Sequence, residues 1–168
     1  MAGAMIVVRD EVRALFPTLK LALVEVSGVR VEKTRPPGLQ ALVDEVTREI
    51  RAKYELPTLK DVPLFRAYRD FFWRLGIDPT KERPSAEALV RRILAGKPLP
   101  AISNLVDAYN LASAKSGIPL AAFDADTLVG PAELRFAKPG ELFLGIGMAR
   151  PVELSGKELV IADREGPI

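Results

Sequence analysis

Apolar side chains recur at intervals of three and four residues through the middle of this chain, between residues 38 and 116. This spacing places them on one face of an α-helix. Proline or glycine, the residue types that most often end helices, separates the successive stretches. We therefore predict four amphipathic helices, over residues 38–54, 62–75 and 85–95 and from a cap at Ser103 to Ser116.

Short apolar runs flank the helical block on both sides. Before it, residues 11–16 predict one helical turn and residues 19–26 a buried strand. After it, glycine or proline interrupts the chain every few residues and leaves four predicted strands, at residues 120–123, 133–137, 142–146 and 158–161. Strands on both sides of a helical block predict an α+β or mixed α/β fold, with a central β-sheet covered by about four helices. Because the sequence has no internal repeat and no long linker, we expect a single domain over residues 1–168.

The 168 residues include neither cysteine nor histidine. The missing cysteine excludes a disulfide framework and a thiolate nucleophile. The missing histidine excludes an imidazole base, a Ser-His-Asp triad and a histidine-containing zinc site. Any chemistry must therefore use carboxylates, hydroxyl groups, Lys, Arg, Tyr, backbone groups or the substrate itself. We predict no metal and no cofactor.

The charges nearly cancel over the whole chain, with 24 Lys and Arg against 22 Asp and Glu. They are unevenly distributed, however. Residues 66–97 carry eight basic and four acidic side chains, whereas residues 98–168 carry six basic and nine acidic ones. The basic segment, residues 66–97, is either the solvated surface of helices or a surface that attracts nucleic acid.

No apolar run approaches the length of a membrane span, and residues 1–8 are too short for the core of a signal peptide. The sequence therefore predicts a cytoplasmic protein without a membrane partner. It does not indicate an oligomeric state.

The fourth predicted helix holds the densest group of polar side chains. Asn104, Asp107 and Asn110 are each three residues apart and form a polar stripe along one side of the helix. The stripe has two interpretations. Its amides and carboxylate can bind a ligand's ammonium, hydroxyl or ribose groups, or they can hold the proline-rich loop at residues 97–100 in place.

Three further features each allow two interpretations. Arg135, on a predicted strand, either meets a substrate or pairs with a carboxylate such as Asp124 or Asp126; we expect the pairing. The same two aspartates either bind a metal or accept hydrogen bonds at the start of a turn, and we favour the turn. The glycines at 145 and 147 form only a fragment of a phosphate-binding pattern and more often mark a turn or bulge.

Six short motifs in order make the chain recognisable. They are residues 68–72 (YRDFF), 75–80 (LGIDPT), 83–89 (RPSAEAL), 104–110 (NLVDAYN), 119–126 (PLAAFDAD) and 134–137 (LRFA). In this order the motifs resemble the B3/B4 domain family. That family includes the editing domain of the bacterial phenylalanyl-tRNA synthetase β subunit and free-standing single-domain relatives. The resemblance covers roughly residues 60–165.

The resemblance implies hydrolysis of a misacylated aminoacyl-tRNA, with the aminoacylated acceptor end of tRNA as the partner. An editing site of this kind is needed because a hydrophobic pocket cannot strongly reject an isostere that carries one extra hydroxyl. An aminoacyl ester is already activated, so water positioned by fixed polar groups and by the ribose hydroxyl can complete the reaction. The alternative is a non-catalytic module that binds an amino acid or tRNA.

The resemblance also implies roles for individual residues. We expect Asn104 and Asp107 to be catalytic. The predicted substrate-binding residues are Asn110, Ala121, Ala122, Phe123, Asp124 and Arg135. The basic segment, and not a family motif, supplies the predicted nucleic-acid-binding residues Arg66, Arg69, Arg91 and Arg92. Ala121 departs from the family, which has histidine in this motif. The family's pattern also continues beyond residue 163, to a glutamate that reads a tyrosine hydroxyl, so we expect either a truncated chain or a partial pocket.

Overall fold

The structure is a computed structural model that describes residues 6–145 and 148–168. The chain divides into two compact units, which we call the helical unit (Val29–Ala122) and the sheet unit (Met1–Gly28 with Phe123–Ile168). In chain order the helices and strands are β1 (Ile6–Val8), α1 (Asp10–Leu15), α2 (Pro37–Lys53), α3 (Pro63–Arg74), α4 (Ser85–Leu94), α5 (Asn104–Ser116), β2 (Ala132–Phe136), β3 (Leu142–Phe143), β4 (Val152–Glu153) and β5 (Leu159–Ala162). Short 3₁₀ turns lie at Leu59–Asp61 and Ala125–Thr127. The predicted mixed α/β class is confirmed.

The helical unit is built on the apolar faces of α2, α4 and α5, together with Phe65 of α3. Its core consists of Val43, Val46, Ile50, Leu59, Phe65, Ala86, Val90, Ile93, Leu99, Leu111 and Ala114. These positions follow the intervals of three and four residues that predicted the helices. All four predicted helices are confirmed, and their ends agree with the structure to within about two residues.

The two ends of α5 are fixed by the residues that the sequence indicated. The Ser103 hydroxyl accepts a hydrogen bond from the Val106 backbone N–H at 3.2 Å, as an N-cap residue does. Gly117 follows the helix with φ of 73°, a left-handed conformation that glycine adopts without strain. A Cβ atom at this position would also lie 2.6 Å from Cδ2 of Leu64. Gly117 therefore meets both a conformational and a packing requirement.

The sheet unit contains a three-stranded sheet in the order β1-β2-β5 and a two-stranded sheet of β3 and β4. β1 runs parallel to β2, with Val8 opposite Leu134, and β2 runs antiparallel to β5, with Leu134 opposite Ile161. β3 and β4 are antiparallel. α1, the predicted helical turn, lies against β2 and buries Val12 completely.

Two predicted strands are wrong. Residues 19–26 and 120–123 have no regular secondary structure, and their apolar side chains are largely exposed; Val24, for example, is 78% exposed. A strand requires backbone hydrogen bonds to a neighbouring strand. An apolar run indicates only that a segment has the composition of a strand, and does not indicate that a neighbouring strand is present. The predicted strand at 142–146 is shorter in the structure, ending at Phe143. Residues 146 and 147, the latter being the second glycine of the predicted turn or bulge at 145 and 147, lie outside the described residues.

None of the helices in the described part of the chain is long and apolar enough to cross a membrane.

Candidate functional site

The polar stripe lies on α5, and its first member ties the helix to an upstream segment. The Asn104 side chain accepts a hydrogen bond at Oδ1 from the Glu32 backbone N–H and donates one from Nδ2 to the Arg30 carbonyl, each at 2.9 Å. The Asn104 backbone N–H donates to the Glu32 carbonyl, also at 2.9 Å. Asn104 therefore joins the start of α5 to residues 30–32.

Asp107 is buried, and both of its carboxylate oxygens have partners. Oδ1 accepts from the Ile102 backbone N–H and Oδ2 from Nε of Arg35, each at 2.9 Å. The side chain of Asp107 is only 1% exposed. Arg35 also donates to the carbonyl of Pro100 at 2.8 Å. Asp107 and Arg35 together hold the proline-rich loop against α5, as the structural interpretation of the stripe predicted.

Asn110 differs from the other two members of the stripe. It is half-buried, and its side-chain amide has no hydrogen-bond partner among residues 6–145 and 148–168. One acceptor and two donor hydrogens are therefore open to a ligand. Of the three residues in the stripe, Asn110 is the one whose polar atoms are not used by the scaffold.

The motif at residues 119–124 forms an exposed segment after α5. Ala121 and Ala122 are exposed at the end of the helical unit, and Phe123, at the start of the sheet unit, is 39% exposed. Asp124 accepts a hydrogen bond at Oδ1 from the Asp126 backbone N–H, which starts the 3₁₀ turn. The turn interpretation of these aspartates agrees with this contact. No group of acidic side chains able to hold a metal ion occurs in the described residues.

Arg135, on β2 in the sheet unit, is buried and paired. Its predicted partners were wrong: the guanidinium binds Glu141, with Nη1 to Oε2 at 2.8 Å and Nη2 to Oε1 at 2.6 Å. The hydrogen bonds from Arg135 lower the pKa of Glu141 from 4.5 to about 2. Asp124 and Asp126 belong to a separate turn, which explains the wrong expectation. Arg135 also lines a cavity of about 580 Å³, together with residues 7–11 and 136–139.

The cations predicted to bind nucleic acid have different surroundings. Arg69 of α3 and Arg91 of α4 both bind Oε1 of Glu87, through Nη1 of Arg69 at 3.0 Å and Nε of Arg91 at 2.7 Å. Arg66 forms an exposed ion pair with Asp70 at 3.1 Å. Nε of Arg92 donates to the carbonyl of Pro98. Each of the four thus has a protein contact.

Sequence reasoning missed three residues: Arg35, Glu87 and Glu141. Glu87 is completely buried, as are its neighbours Ala86 and Val90 on the apolar face of α4. An acidic residue three positions before Val90 was a usable signal for a buried charge. Arg35 and Glu141 gave no comparable signal, because their importance comes from partners that only the fold brings close.

Comparisons with known proteins agree with the motifs. The family model of the B3/4 domain matches residues 67–168. The phenylalanine–tRNA ligase beta subunit of Aquifex aeolicus is 29% identical over 152 residues, which cover 83% of this chain and 19% of that protein. The corresponding subunits of Psychrobacter arcticus and Latilactobacillus sakei are 44% identical over 64 residues and 43% over 70. These two matches cover 38% and 40% of this chain, and 8% and 9% of those proteins.

No solved structure matches the chain. The chain spans less than a fifth of the length of the curated relatives it matches. The family match, in contrast, extends over more than half of the chain and includes α4, α5 and the three-stranded sheet's β2 and β5. The chain belongs to the B3/4 domain family.

Proposed function

We propose that this protein hydrolyses the ester bond of misacylated aminoacyl-tRNA in trans. The observation that carries the proposal is the B3/4 family match over residues 67–168, which includes the polar stripe and the motif at 119–124. The curated relatives named above are beta subunits of phenylalanine–tRNA ligase, an enzyme whose name gives tRNA as a substrate. A role that involves tRNA follows most directly from these relationships. Ester hydrolysis is the finer part of the proposal.

The chain's own side chains support a mechanism based on positioning. With no histidine or cysteine in the sequence, we propose that a water molecule, oriented by the neighbouring ribose hydroxyl and by fixed donors, attacks the ester carbonyl. The bond between the carbonyl carbon and the ribose oxygen then breaks, and this oxygen takes up a proton that the attacking water gives off. Asn110 supplies the open amide for substrate binding. Asn104 and Asp107, predicted as catalytic, then act by holding the loops around the stripe, because their polar atoms are already bonded there.

A second function is favoured by one specific observation. Ala121 stands where the B3/B4 family pattern has histidine, so this side chain offers no polar group to a substrate. A non-catalytic module that binds an amino acid or tRNA needs no such group. This module would use the amide of Asn110 and residues 119–122, which follow α5 in the helical unit, for binding alone.

Deacylation of a panel of correctly and wrongly charged tRNAs tests the proposal. The purified chain is added well below the tRNA concentration, and the released amino acid is measured. Under the proposal, one class of misacylated tRNA is hydrolysed with multiple turnovers. Asn110→Ala should lower kcat/KM by about two- to tenfold, the loss expected for a neutral hydrogen bond to the reacting complex.

Ala112→Ser is the matched control, because Ala112 is an exposed residue on the same helix and its replacement changes no charge. This variant should retain the wild-type rate. Binding of an aminoacyl-tRNA without release of the amino acid would overturn the hydrolase and support the binding module. An Asn110→Ala variant that is folded and fully active would remove Asn110 from the proposed site.

A further inference from the structure

Trp73 is a large aromatic side chain that the fold leaves in solvent. It lies on α3 and is 55% exposed. Its ring has no aromatic contact, and its indole N–H no hydrogen bond, with any residue the structure describes. Tryptophan is usually well covered in folded proteins because its ring is large and apolar. An exposed ring with an unused donor is a binding feature that the proposed hydrolysis does not employ.

Charged side chains surround this ring along the helix. Arg66, Asp70 and Trp73 follow one another at intervals of four and three residues and share one side of α3. Arg66 and Asp70 are both more than half exposed. The residues next to Trp73 on this side are therefore charged, whereas protein-binding patches usually have an apolar centre.

A second pair of cations lies beside this side of the helix. Arg69, four residues before Trp73, is held by Glu87, and Arg91 of α4 binds the same carboxylate. Two guanidinium groups on one carboxylate leave one positive charge in excess. Because Glu87 is fully buried, it fixes both arginines without itself reaching the solvent. We call Arg66, Arg69, Asp70 and Trp73 of α3, together with Arg91 of α4, the α3 face. Its three arginines exceed the carboxylates of Asp70 and Glu87 by one positive charge.

A flat aromatic surface beside fixed cations fits single-stranded nucleic acid. Bases stack on an exposed indole ring, and guanidinium groups contact the phosphates that follow. In a duplex the bases are already stacked on each other, so only the two terminal pairs offer the ring a base face. The positive charge of the helical unit, sixteen Lys and Arg against eleven Asp and Glu, adds long-range attraction for a polyanion.

We propose that the α3 face binds single-stranded RNA, with one base stacked on Trp73. The inference rests on the proposed function in one respect, because that function identifies the RNA as the unpaired acceptor end of a tRNA. The exposure of Trp73, the stacking residue, comes from the structure alone, whereas Arg66, Arg69 and Arg91 were also predicted from the sequence.

Tryptophan fluorescence tests the inference directly, because Trp73 is the sole tryptophan of the chain. The protein is titrated with a short single-stranded RNA that ends in CCA, with the same RNA annealed as a blunt duplex, and with inorganic polyphosphate. Single-stranded RNA should quench the fluorescence at lower concentrations than the duplex. Polyphosphate, which carries charge without bases, should leave the emission of Trp73 nearly unchanged.

Variants are compared by the fluorescence anisotropy of the labelled single strand. Trp73→Ala should weaken binding at least about fivefold, the loss expected when one base–aromatic stack is removed. Trp73→Phe keeps a ring and should lose less. Leu42→Ala is the matched control, since Leu42 is also an exposed apolar residue on a helix of the helical unit, and it should bind like the wild type.

Other outcomes overturn the inference. Equal quenching by all three polyanions would mean attraction by charge without stacking. Wild-type affinity in the Trp73→Ala variant would remove the ring from the RNA site. Self-association that depends on Trp73, detected by sedimentation, together with no RNA binding, would assign the face to a second copy of the chain.

The outcome is separable from that of the proposed function. A chain that binds the single strand through Trp73 but releases no amino acid supports the α3 face and overturns hydrolysis. A chain that hydrolyses aminoacyl-tRNA equally well with Trp73→Ala, and binds RNA equally well, supports hydrolysis and overturns the α3 face.

Discussion

Glu87 is a charged residue that the helical unit buries completely. Its carboxylate is completely buried in α4, and Arg69 and Arg91 supply the hydrogen bonds that offset its desolvation. The two arginines come from different helices, so the carboxylate also connects α3 to α4. Replacing such a residue leaves charged partners without their counter-ion.

We predict that Glu87→Ala lowers the free energy of unfolding by about 2 to 4 kcal/mol, because both arginines lose their buried partner. Chemical denaturation followed by circular dichroism measures the change. The control is Glu82→Ala, an exposed position, which should alter stability by less than about 0.5 kcal/mol. Equal effects of the two substitutions would contradict a structural role for Glu87.

Glu141 gives a prediction about pH. Arg135 lowers its pKa from 4.5 to about 2 in the folded protein, so the ion pair stabilises the fold fully above about pH 4.5. This stabilisation decreases as the pH falls and is lost near pH 2. Glu141→Gln should therefore lower the free energy of unfolding by on the order of 1 to 2 kcal/mol at neutral pH and by much less near pH 2.

Urea unfolding of the wild type and of Glu141→Gln at several pH values measures this difference. Glu153→Gln serves as the comparison, because Glu153 is an exposed residue of β4. The gap between wild type and Glu141→Gln should narrow as the pH falls, whereas the gap for Glu153→Gln should stay small. A constant gap for Glu141→Gln would show that its pKa is not lowered by the fold.

Residue-level prediction from the sequence succeeded where the signal was local. The cap at Ser103 and the turn at Asp124 depend on neighbours within three residues, and both were predicted. The partner of Asp107 was not predicted, since Arg35 lies 72 residues away in the chain. Such pairs depend on packing between segments, which hydrophobic spacing does not specify.

At the scale of elements, helices were predicted more accurately than strands, because helices depend on local contacts and strands on distant ones. A helix makes its hydrogen bonds within itself, so α2 to α5 were predicted with nearly correct bounds. A strand depends on a neighbour that can be distant, as β1 depends on β2. The apolar runs at 19–26 and 120–123 had strand composition without such a neighbour in the structure.

The end of α5 allows a prediction at this scale. Gly117 and Gly96 have nearly the same positive φ, 73° and 76°. A Cβ at Gly117 would approach Leu64 to 2.6 Å, whereas at Gly96 it would meet nothing within 4 Å. Gly96→Ala should therefore lower the free energy of unfolding by about 1 kcal/mol, because alanine is strained in the left-handed conformation. Gly117→Ala should lower it measurably more, because its Cβ also approaches Leu64. Thermal unfolding of both variants measures the difference, and equal costs would show that Leu64 moves aside freely.

At the scale of the whole molecule, the two units differ in net charge. The helical unit has sixteen Lys and Arg against eleven Asp and Glu, whereas the sheet unit has eight against eleven. The near-neutral total therefore combines an excess of five positive charges with an excess of three negative ones. Since phosphate contacts release counter-ions, RNA affinity should depend on the cations of the helical unit and decrease with salt.

Charge reversal in each unit tests this expectation. Lys97 in the helical unit and Lys157 in the sheet unit are both exposed, and neither belongs to an ion pair in the described residues. Lys97→Glu should weaken tRNA binding and lower the slope of log affinity against log salt by about 1, because one phosphate contact is lost.

The control for this variant is Lys157→Glu. It changes the net charge by the same amount and should leave the slope unaltered. Fluorescence anisotropy of labelled tRNA at a series of salt concentrations gives both slopes. Equal losses in the two variants would mean that tRNA responds to net charge alone, whereas a loss confined to Lys97→Glu places the phosphate contacts on the helical unit.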